Sequence, residues 1–138
     1  MISVFIDTNV LMDFLFRREP FYPDVEVILA MVEEKEIIAY TDALSLANCN
    51  YFLTKEISPA AAKKKLQQLR RILRICEMTE SSADLSILSD ARWSDFEDAL
   101  HYFSAKSSGV ETIITRNKKD FQGSELPLYT PEEFLKRR

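Results

Sequence analysis

The chain has 138 residues, of which 46% are apolar and 29% are charged, a length and composition typical of one globular domain. Two glycines and five prolines exclude collagen-like and most disordered chains, and they leave no Gly-rich loop for a nucleotide phosphate. The net charge of −4 argues against a nucleic-acid coat protein. We therefore expect a single domain over residues 1–138.

The elements predicted in chain order follow from short apolar runs that alternate with stretches of helical periodicity. The first half of the chain is predicted to form a strand over Ile2–Ile6, a helix over Asn9–Arg17, a helix after Pro23, a strand over Ile37–Thr41 and a helix capped by Thr41 or Asp42 and running through Leu53. The second half is predicted to form a helix from Pro59, a strand over Ile75–Met78, a helix over Ser81–Leu88, a helix to about Ser107, a strand over Glu111–Thr115 and a short helix after Thr130. This alternation predicts an α/β fold with a mostly parallel sheet.

Local sequence patterns predict where several helices begin and end. Ser58 followed by Pro59 is typical of a helix start. Ser94 and Glu97 match a capping box for the helix that follows them. Gly109 is expected to end that helix.

No segment of the sequence predicts export or membrane insertion. No apolar run approaches the ~20 residues of a membrane span, and the first residues lack the basic region and cleavage site of a signal peptide. Cys49 and Cys76 lie in apolar contexts without metal-ligand spacing, which predicts buried, reduced thiols. We expect a cytoplasmic protein with no membrane partner.

Polar residues follow the predicted strands at the edge where parallel sheets place their sites. Asp7 directly follows the first strand, where it can either face a ligand or cap the next helix, and both interpretations stay open. Asp95 and Asp98 are three residues apart and share a helix face, although acids in a first turn also interact favourably with the helix dipole. A polar segment at residues 115–120 follows the last long strand.

Together these oxygen-bearing side chains predict a site for a hard divalent cation. Clustered carboxylates repel each other unless a cation neutralises them. Mg²⁺ or Mn²⁺ suits oxygen ligands, whereas zinc normally recruits His or Cys, and the chain has one histidine. Such an ion can activate water and stabilise a displacement at phosphorus. The resulting hypothesis is phosphodiester hydrolysis. A phosphatase with Asp7 as nucleophile is a less favoured alternative, because it would need an acid where Asn9 stands.

Three segments of the chain resemble the PIN-domain family in their order and spacing. They are FIDTNVLMD at 5–13, DFEDAL at 95–100 and IITRNKKDF at 113–121. The resemblance implies a Rossmann-like three-layer α/β/α sandwich and a Mg²⁺- or Mn²⁺-dependent endoribonuclease, often the VapC-like toxin of a toxin–antitoxin pair. Such toxins are commonly homodimers neutralised by a small antitoxin. Asp7 takes the first acidic position of the family and Asp98 the third, while Asn117 stands where many members carry a fourth acid.

The second acidic position of the family is where this chain departs from it. Many members carry Glu there, in a context that resembles residues 45–48, and this chain has Asn48. An asparagine can coordinate through its carbonyl oxygen but contributes no charge. We assign the chain to a subgroup with Asn at this position, and a catalytically weak or inactive PIN-like module that binds RNA or protein is the alternative.

The predicted site residues fall into three overlapping sets. The predicted catalytic residues are Asp7, Asp95, Asp98, Asn117 and Asp120. The predicted metal ligands are Asp7, Asp98 and Asn117, and the predicted substrate contacts are Asn9, Asn48, Arg116, Lys118 and Lys119. The last three could bind phosphate because they flank the site directly.

Other features allow two interpretations. His101 lies three residues after Asp98 and could contact substrate or be a hydrogen-bonded histidine within its helix. Residues 55–76 carry seven basic side chains and one acidic side chain, so this segment could attract RNA or simply form a solvated helix face. An aromatic cluster could belong to the core or to a dimer or antitoxin surface; its members are Phe14, Phe16, Phe21 and Tyr22.

Overall fold

A five-stranded sheet and seven α-helices make up most of residues 1–137, the part of the chain that the computed structural model describes. Arg138, the last residue of the predicted domain, lies outside the described residues. The strands are β1 (Ser3–Ile6), β2 (Ile38–Asp42), β3 (Arg74–Cys76), β4 (Thr112–Ile114) and β5 (Leu128–Tyr129). The helices are α1 (Thr8–Leu15), α2 (Tyr22–Glu33), α3 (Ala43–Glu56), α4 (Pro59–Ile72), α5 (Glu80–Ile87), α6 (Phe96–Ser107) and α7 (Pro131–Lys136), and a 3₁₀ helix covers Lys118–Phe121.

The sheet has the strand order β3-β2-β1-β4-β5, and all of its neighbouring strands are parallel. The central strand β1 is fully buried, and its Val4 pairs with Ala39 on one side and Thr112 on the other. Parallel strands buried on both faces read as continuous apolar runs, which is the pattern of residues 2–6. The predicted mostly parallel sheet is confirmed.

Two hydrophobic cores cover the two faces of the sheet. Val4 and Ile6 of β1 belong to a core shared with α1, α2, α3, α4 and α7. Phe5, whose side chain points to the opposite face, belongs to a second core with residues of α6 and the 3₁₀ helix. Alternate residues of one strand therefore anchor helices on both faces, and the expected three-layer α/β/α arrangement is confirmed.

The order of the strands creates a crevice between β1 and β4. The chain builds outward from β1 to β2 and β3 and then returns through α5 and α6 to β4, on the other side of β1. Open α/β sheets bind their ligands at the carboxyl ends of the strands, where the strand order reverses. Asp7 follows β1 and Thr115 follows β4, so both residues lie at this point.

The start of α6 differs from its prediction. The capping box of Ser94 and Glu97 is wrong, because Asp95 is the N-cap and its Oδ1 accepts a hydrogen bond from the Glu97 backbone N–H at 2.8 Å. An aspartate two residues from the amide reaches it directly, so the predicted reciprocal pairing is not needed. The predicted end of α6 is confirmed, since Gly109 follows the helix with a positive φ of 81°.

Close packing fixes the segment after β4 against α6. The Trp93 ring stacks on Tyr102 with ring centroids 4.7 Å apart. Gly123 lies so close that a Cβ there would overlap the indole Nε1 and lie 2.7 Å from Cε2. Only a glycine allows this approach, which closes the loop after the 3₁₀ helix over the second core.

Both cysteines are buried free thiols, as the sequence predicts. Burial raises the pKa of Cys49 to about 12 and that of Cys76 to about 11, which keeps both thiols protonated and unreactive. Among the described helices, none is long and apolar enough to cross a membrane.

Candidate active site

Asp7 combines both roles that the sequence left open. It is the N-cap of α1, and its Oδ1 accepts a hydrogen bond from the Thr8 backbone N–H at 2.8 Å. Its Oδ2 accepts a second hydrogen bond from the Thr115 hydroxyl, also at 2.8 Å. The residue is only 5% exposed. Burial raises the pKa of Asp7, although both hydrogen bonds favour the ionised form.

Asp98 lies in the first turn of α6 and faces other carboxylates. Burial, together with the nearby negative charges of Asp7, Asp95 and Asp120, raises its pKa from 3.8 to about 7. The structure therefore brings together four of the acids that the sequence singled out, from three separate segments of the chain. Like charges this close make the ionised cluster costly unless a cation joins it.

Thr115 connects Asp7 to the predicted residue Asn117. The Asn117 backbone N–H donates to the Thr115 hydroxyl oxygen at 3.0 Å, and that hydroxyl in turn donates to Asp7. Asn117 is exposed and precedes the 3₁₀ helix. Sequence reasoning assigned no role to Thr115, although its position after β4 opposite Asp7 was the available signal.

Arg116 is engaged within the protein. Its Nε donates to Asp13 Oδ2 at 2.5 Å and its second terminal nitrogen donates to Asp13 Oδ1 at 3.1 Å. Asp13 is fully buried, and the guanidinium also lies over the Phe21 ring, 4.0 Å from its centroid. This pairing ties the end of β4 to α1 and to the following loop. Phe14 and Phe16 pack against the first core.

The remaining predicted substrate residues differ in how they are held. Lys118 pairs with Glu133 at 2.9 Å, and both side chains are exposed. Lys119 is exposed beside it. Asn9, in the first turn of α1, has a buried Oδ1 without a hydrogen-bond partner among residues 1–137. A buried polar atom without a partner is unusual and often marks a place where a bound group completes the hydrogen bonding.

Asn48 lies against α6. Its side-chain amide donates to Glu97 Oε1 at 3.1 Å, so the residue at the divergent position bridges α3 and the first turn of α6. An acid at position 48 would repel Glu97 at this distance, whereas the neutral amide attracts it.

A buried pair under the acids is the main feature that sequence reasoning missed. Asp42, the N-cap of α3, accepts a hydrogen bond from the Ser45 backbone N–H at 2.8 Å. Its other oxygen lies 2.5 Å from His101 Nδ1, and both side chains are buried. Of the two interpretations of His101, the structure supports the hydrogen-bonded helix histidine. The sequence identified Asp42 only as a cap, because the partner is 59 residues away.

The donor chemistry at this edge fits a divalent ion. Asp7 and Asp98 offer carboxylate oxygens, and the unpartnered amide oxygen of Asn9 lies two residues after Asp7. No three His, Cys, Asp or Glu side chains within residues 1–137 are grouped closely enough to hold an ion alone. Mg²⁺ usually takes one or two carboxylates from a protein and completes its shell with water and substrate phosphate.

A cavity of about 1000 Å³ lies at the opposite edge of the sheet. Ile37 and Ile38 line it at the start of β2, together with Leu69 and Arg71 of α4. None of the clustered acids lines it. This cavity is therefore separate from the acids at the carboxyl edge of the sheet.

The fold agrees with comparisons to known proteins. A family model described as PIN domain matches residues 3–119. The chain belongs to the PIN-domain family. Ribonuclease VapC1 of Aquifex aeolicus (strain VF5) is 27% identical over 140 residues, which cover 98% of this chain and 94% of the relative.

Chains in solved toxin–antitoxin and VapBC structures have a similar fold. A toxin–antitoxin complex from Klebsiella pneumoniae contains a chain that is 22% identical with a TM-score of 0.70; the match covers 94% of this chain and 98% of that chain. DNA-bound VapBC from Salmonella typhimurium gives a TM-score of 0.71 at 14% identity, and the match covers 95% of this chain and 99% of that chain.

Proposed function

We propose that this PIN-domain protein is a divalent-metal-dependent endoribonuclease and the toxin of a toxin–antitoxin pair. The observation that carries the proposal is the cluster of Asp7, Asp95, Asp98 and Asp120 at the crevice between β1 and β4. Full-length similarity to a ribonuclease of the VapC type, and to structures of toxin–antitoxin complexes, supports the same activity.

Asp7 and Asp98 are the residues that would hold Mg²⁺ or Mn²⁺, with the side-chain oxygen of Asn117 as a further ligand. A bound ion would supply positive charge that stabilises the negative charge developing on the phosphate during cleavage. The protein contributes rigidity, because two hydrogen bonds hold the Asp7 carboxylate in place. Burial and the negative charges of the neighbouring acids raise the pKa of Asp98, and such an ion would offset those charges.

Asp120 is the better candidate of the two outer acids to orient or deprotonate the attacking water. Asp95 Oδ1 is already used as the cap of α6, so part of this carboxylate is committed to holding the helix. Asp120 lies in the 3₁₀ helix and is partly buried beside the other acids. A positioned carboxylate of this kind can take a proton from water as the phosphodiester is attacked.

RNA would approach across the residues that border the acids. Lys119 is exposed, and Lys118 can exchange its pairing with Glu133 for a phosphate because both partners are in solvent. Asn9 and Asn48 are further candidates for contacts to the sugar or the bases. Arg116 would act mainly by holding the end of β4 against α1 and not by contacting RNA, since its guanidinium already pairs with buried Asp13.

The neutral residue at position 48 does not by itself favour an inactive protein. Asn48 places the Glu97 carboxylate at the start of α6, so negative charge remains close to the position where the family commonly carries an acid. We therefore place the chain in a subgroup that uses Asn here. A non-catalytic RNA- or protein-binding module is the alternative that the cleavage experiment excludes or supports.

A small antitoxin and a second copy of the chain are the proposed protein partners. Exposed apolar side chains on α3 and around α5 provide surface for such contacts. They are Tyr51 (60% exposed), Phe52 (42%), Leu85 (48%), Ile87 (67%) and Leu88 (80%). The cytoplasm, where Cys49 and Cys76 would stay reduced, is the proposed location.

RNA cleavage with defined variants tests the proposal. The purified protein is incubated with transfer, ribosomal and messenger RNA, with Mg²⁺ or Mn²⁺ and with EDTA, and products are resolved on gels. We expect cleavage that needs the metal and that falls by about a hundredfold or more in Asp7→Asn and Asp98→Asn. Asp84→Asn, an exposed position on α5, is the matched control. RNA binding without metal-dependent cleavage would instead support the non-catalytic module.

A further inference from the structure

A chain of residues joined by four hydrogen bonds connects Asp7 to His101. It begins at Asp7, whose Oδ1 accepts from the Thr8 backbone N–H, and the Thr8 hydroxyl lies 2.8 Å from the Ser45 hydroxyl. The Ser45 backbone N–H then donates to Asp42 Oδ1. Asp42 Oδ2 meets His101 Nδ1 at 2.5 Å. The chain thus links α1, α3 and α6, three helices that approach the site from different directions.

His101 connects this chain to Asp98. The two residues are three positions apart on α6 and therefore lie on the same face of the helix. His101 is 2% exposed and its ring lies 5.7 Å from that of Phe5 in β1, so the imidazole is fixed on both sides. A movement of α6 that displaced His101 would therefore displace Asp98 as well.

Stability alone does not explain why Asp42 and His101 are buried together. Removing a carboxylate and an imidazole from water is unfavourable, and well-packed apolar side chains of similar volume are often as stable or more stable. A buried pair of this kind is better explained by the geometry that it favours, because fully hydrogen-bonded buried polar groups rigidify the elements that they join.

We propose that the Asp42–His101 pair is a positioning element of the active site, which holds α6 so that Asp98 and Asp7 can share one divalent cation. This inference rests on the proposed function and assigns roles to two residues that do not themselves contact the ion. Asp42 fixes the start of α3 through Ser45 and fixes α6 through His101, so a single carboxylate sets the distance between the two elements.

Asp42 also stabilises the protonated imidazole in its buried position. Burial disfavours the charged imidazolium of His101, but the hydrogen bond and the negative charge of Asp42 outweigh this effect and raise the pKa of His101.

Manganese binding by the intact protein tests the inference without knowledge of the RNA substrate. Titration calorimetry or Mn²⁺ electron paramagnetic resonance gives the dissociation constant of wild type, Asp42→Asn, His101→Leu and His101→Asn. We expect Asp42→Asn and His101→Leu to weaken Mn²⁺ binding by roughly tenfold or more, as is typical for side chains that orient metal ligands. His101→Asn should recover part of the loss, because its amide nitrogen can donate near the position of Nδ1.

Leu69→Ala is the matched control for a general loss of stability. Leu69 is 2% exposed in α4 and lies in the first core, away from the acids, so its truncation lowers the melting temperature without touching the hydrogen-bond chain. Mn²⁺ affinity should stay at the wild-type value in this variant. If His101→Leu does not fold, Asp42→Asn and His101→Asn carry the comparison.

The outcomes separate the inference from the proposed function. Unchanged Mn²⁺ affinity in the Asp42 and His101 variants, or an equal loss in Leu69→Ala, would overturn the positioning role while RNA cleavage by wild type leaves the function standing. If the variants bind Mn²⁺ more weakly but the wild-type protein does not cleave RNA, the positioning role is supported and the ribonuclease activity is overturned. A wild-type protein that neither binds Mn²⁺ nor cleaves RNA would overturn both.

Discussion

Replacement of Asp98 by Asn should stabilise the metal-free protein while it abolishes cleavage. Burial and the charges of three neighbouring carboxylates raise the pKa of Asp98 from 3.8 to about 7. At any pH where the Asp98 side chain is ionised, its negative charge is therefore less favourable in the folded protein than in the unfolded chain. An amide of the same shape removes that charge.

The size of the effect follows from the pKa. A tenfold change in proton affinity corresponds to about 1.4 kcal/mol, so the change from 3.8 to about 7 is equivalent to about 4 kcal/mol at full strength. Asp98 is only partly buried, and solvent screening reduces this to about 2 kcal/mol. The destabilisation is absent below pH 3.8, grows as the pH rises through the interval up to about 7, and is complete above it.

Thermal and urea unfolding in EDTA at pH 4 and pH 8 measure this difference. Asp98→Asn should melt higher than wild type at pH 8 by about 5–10 °C, and the gap should shrink at pH 4. Excess Mn²⁺ should raise the melting temperature of wild type and have little effect on the variant, because only wild type retains both metal-binding carboxylates. A variant no more stable than wild type at pH 8 in EDTA would refute the electrostatic argument.

Three further variants test other contacts. Thr115→Val removes the hydroxyl that donates to Asp7, and we expect about 1–3 kcal/mol lower stability in denaturant unfolding together with slower RNA cleavage. Gly123→Ala forces a methyl group into the Trp93 indole and should cost about 1–3 kcal/mol, which thermal melts would detect. Asn48→Asp places a carboxylate against the glutamate that its amide now contacts, so its melting temperature in EDTA should fall below that of wild type, most clearly at low salt.

The sequence predicts the position of the acids better than the contacts that hold them. Asp7 and Asp98 could be identified because a carboxylate after an apolar strand and another inside a first helical turn are visible in local patterns. Asp42 shows the limit of this approach. Its role as a cap is local, and the sequence predicts a cap at either Thr41 or Asp42, whereas its pairing with His101 depends on how α6 packs over β2.

The elements that prediction missed are short or depend on tertiary contacts. Strand β5 has two residues, Leu128 and Tyr129, too few for any periodicity, and it exists because it pairs with β4. The Ser94 capping box failed because capping patterns at adjacent positions compete, and Asp95 gives a hydrogen bond with shorter sequence separation. Tertiary pairing therefore decided the first case, and competition between local caps decided the second.

The capping role of Asp7 explains why its structural and functional interpretations are compatible. A carboxylate that caps a helix uses one oxygen and is held in the direction of that helix axis. Asp7 does this with Oδ1, and Thr115 fixes Oδ2 from the other side of the crevice. Such a residue cannot turn away when its neighbours repel it, so the cost of clustered charge persists in the folded protein. A bound cation would relieve this repulsion between the carboxylates. Because the cation would also offset their negative charge, a chain with net charge −4 is compatible with an RNA substrate.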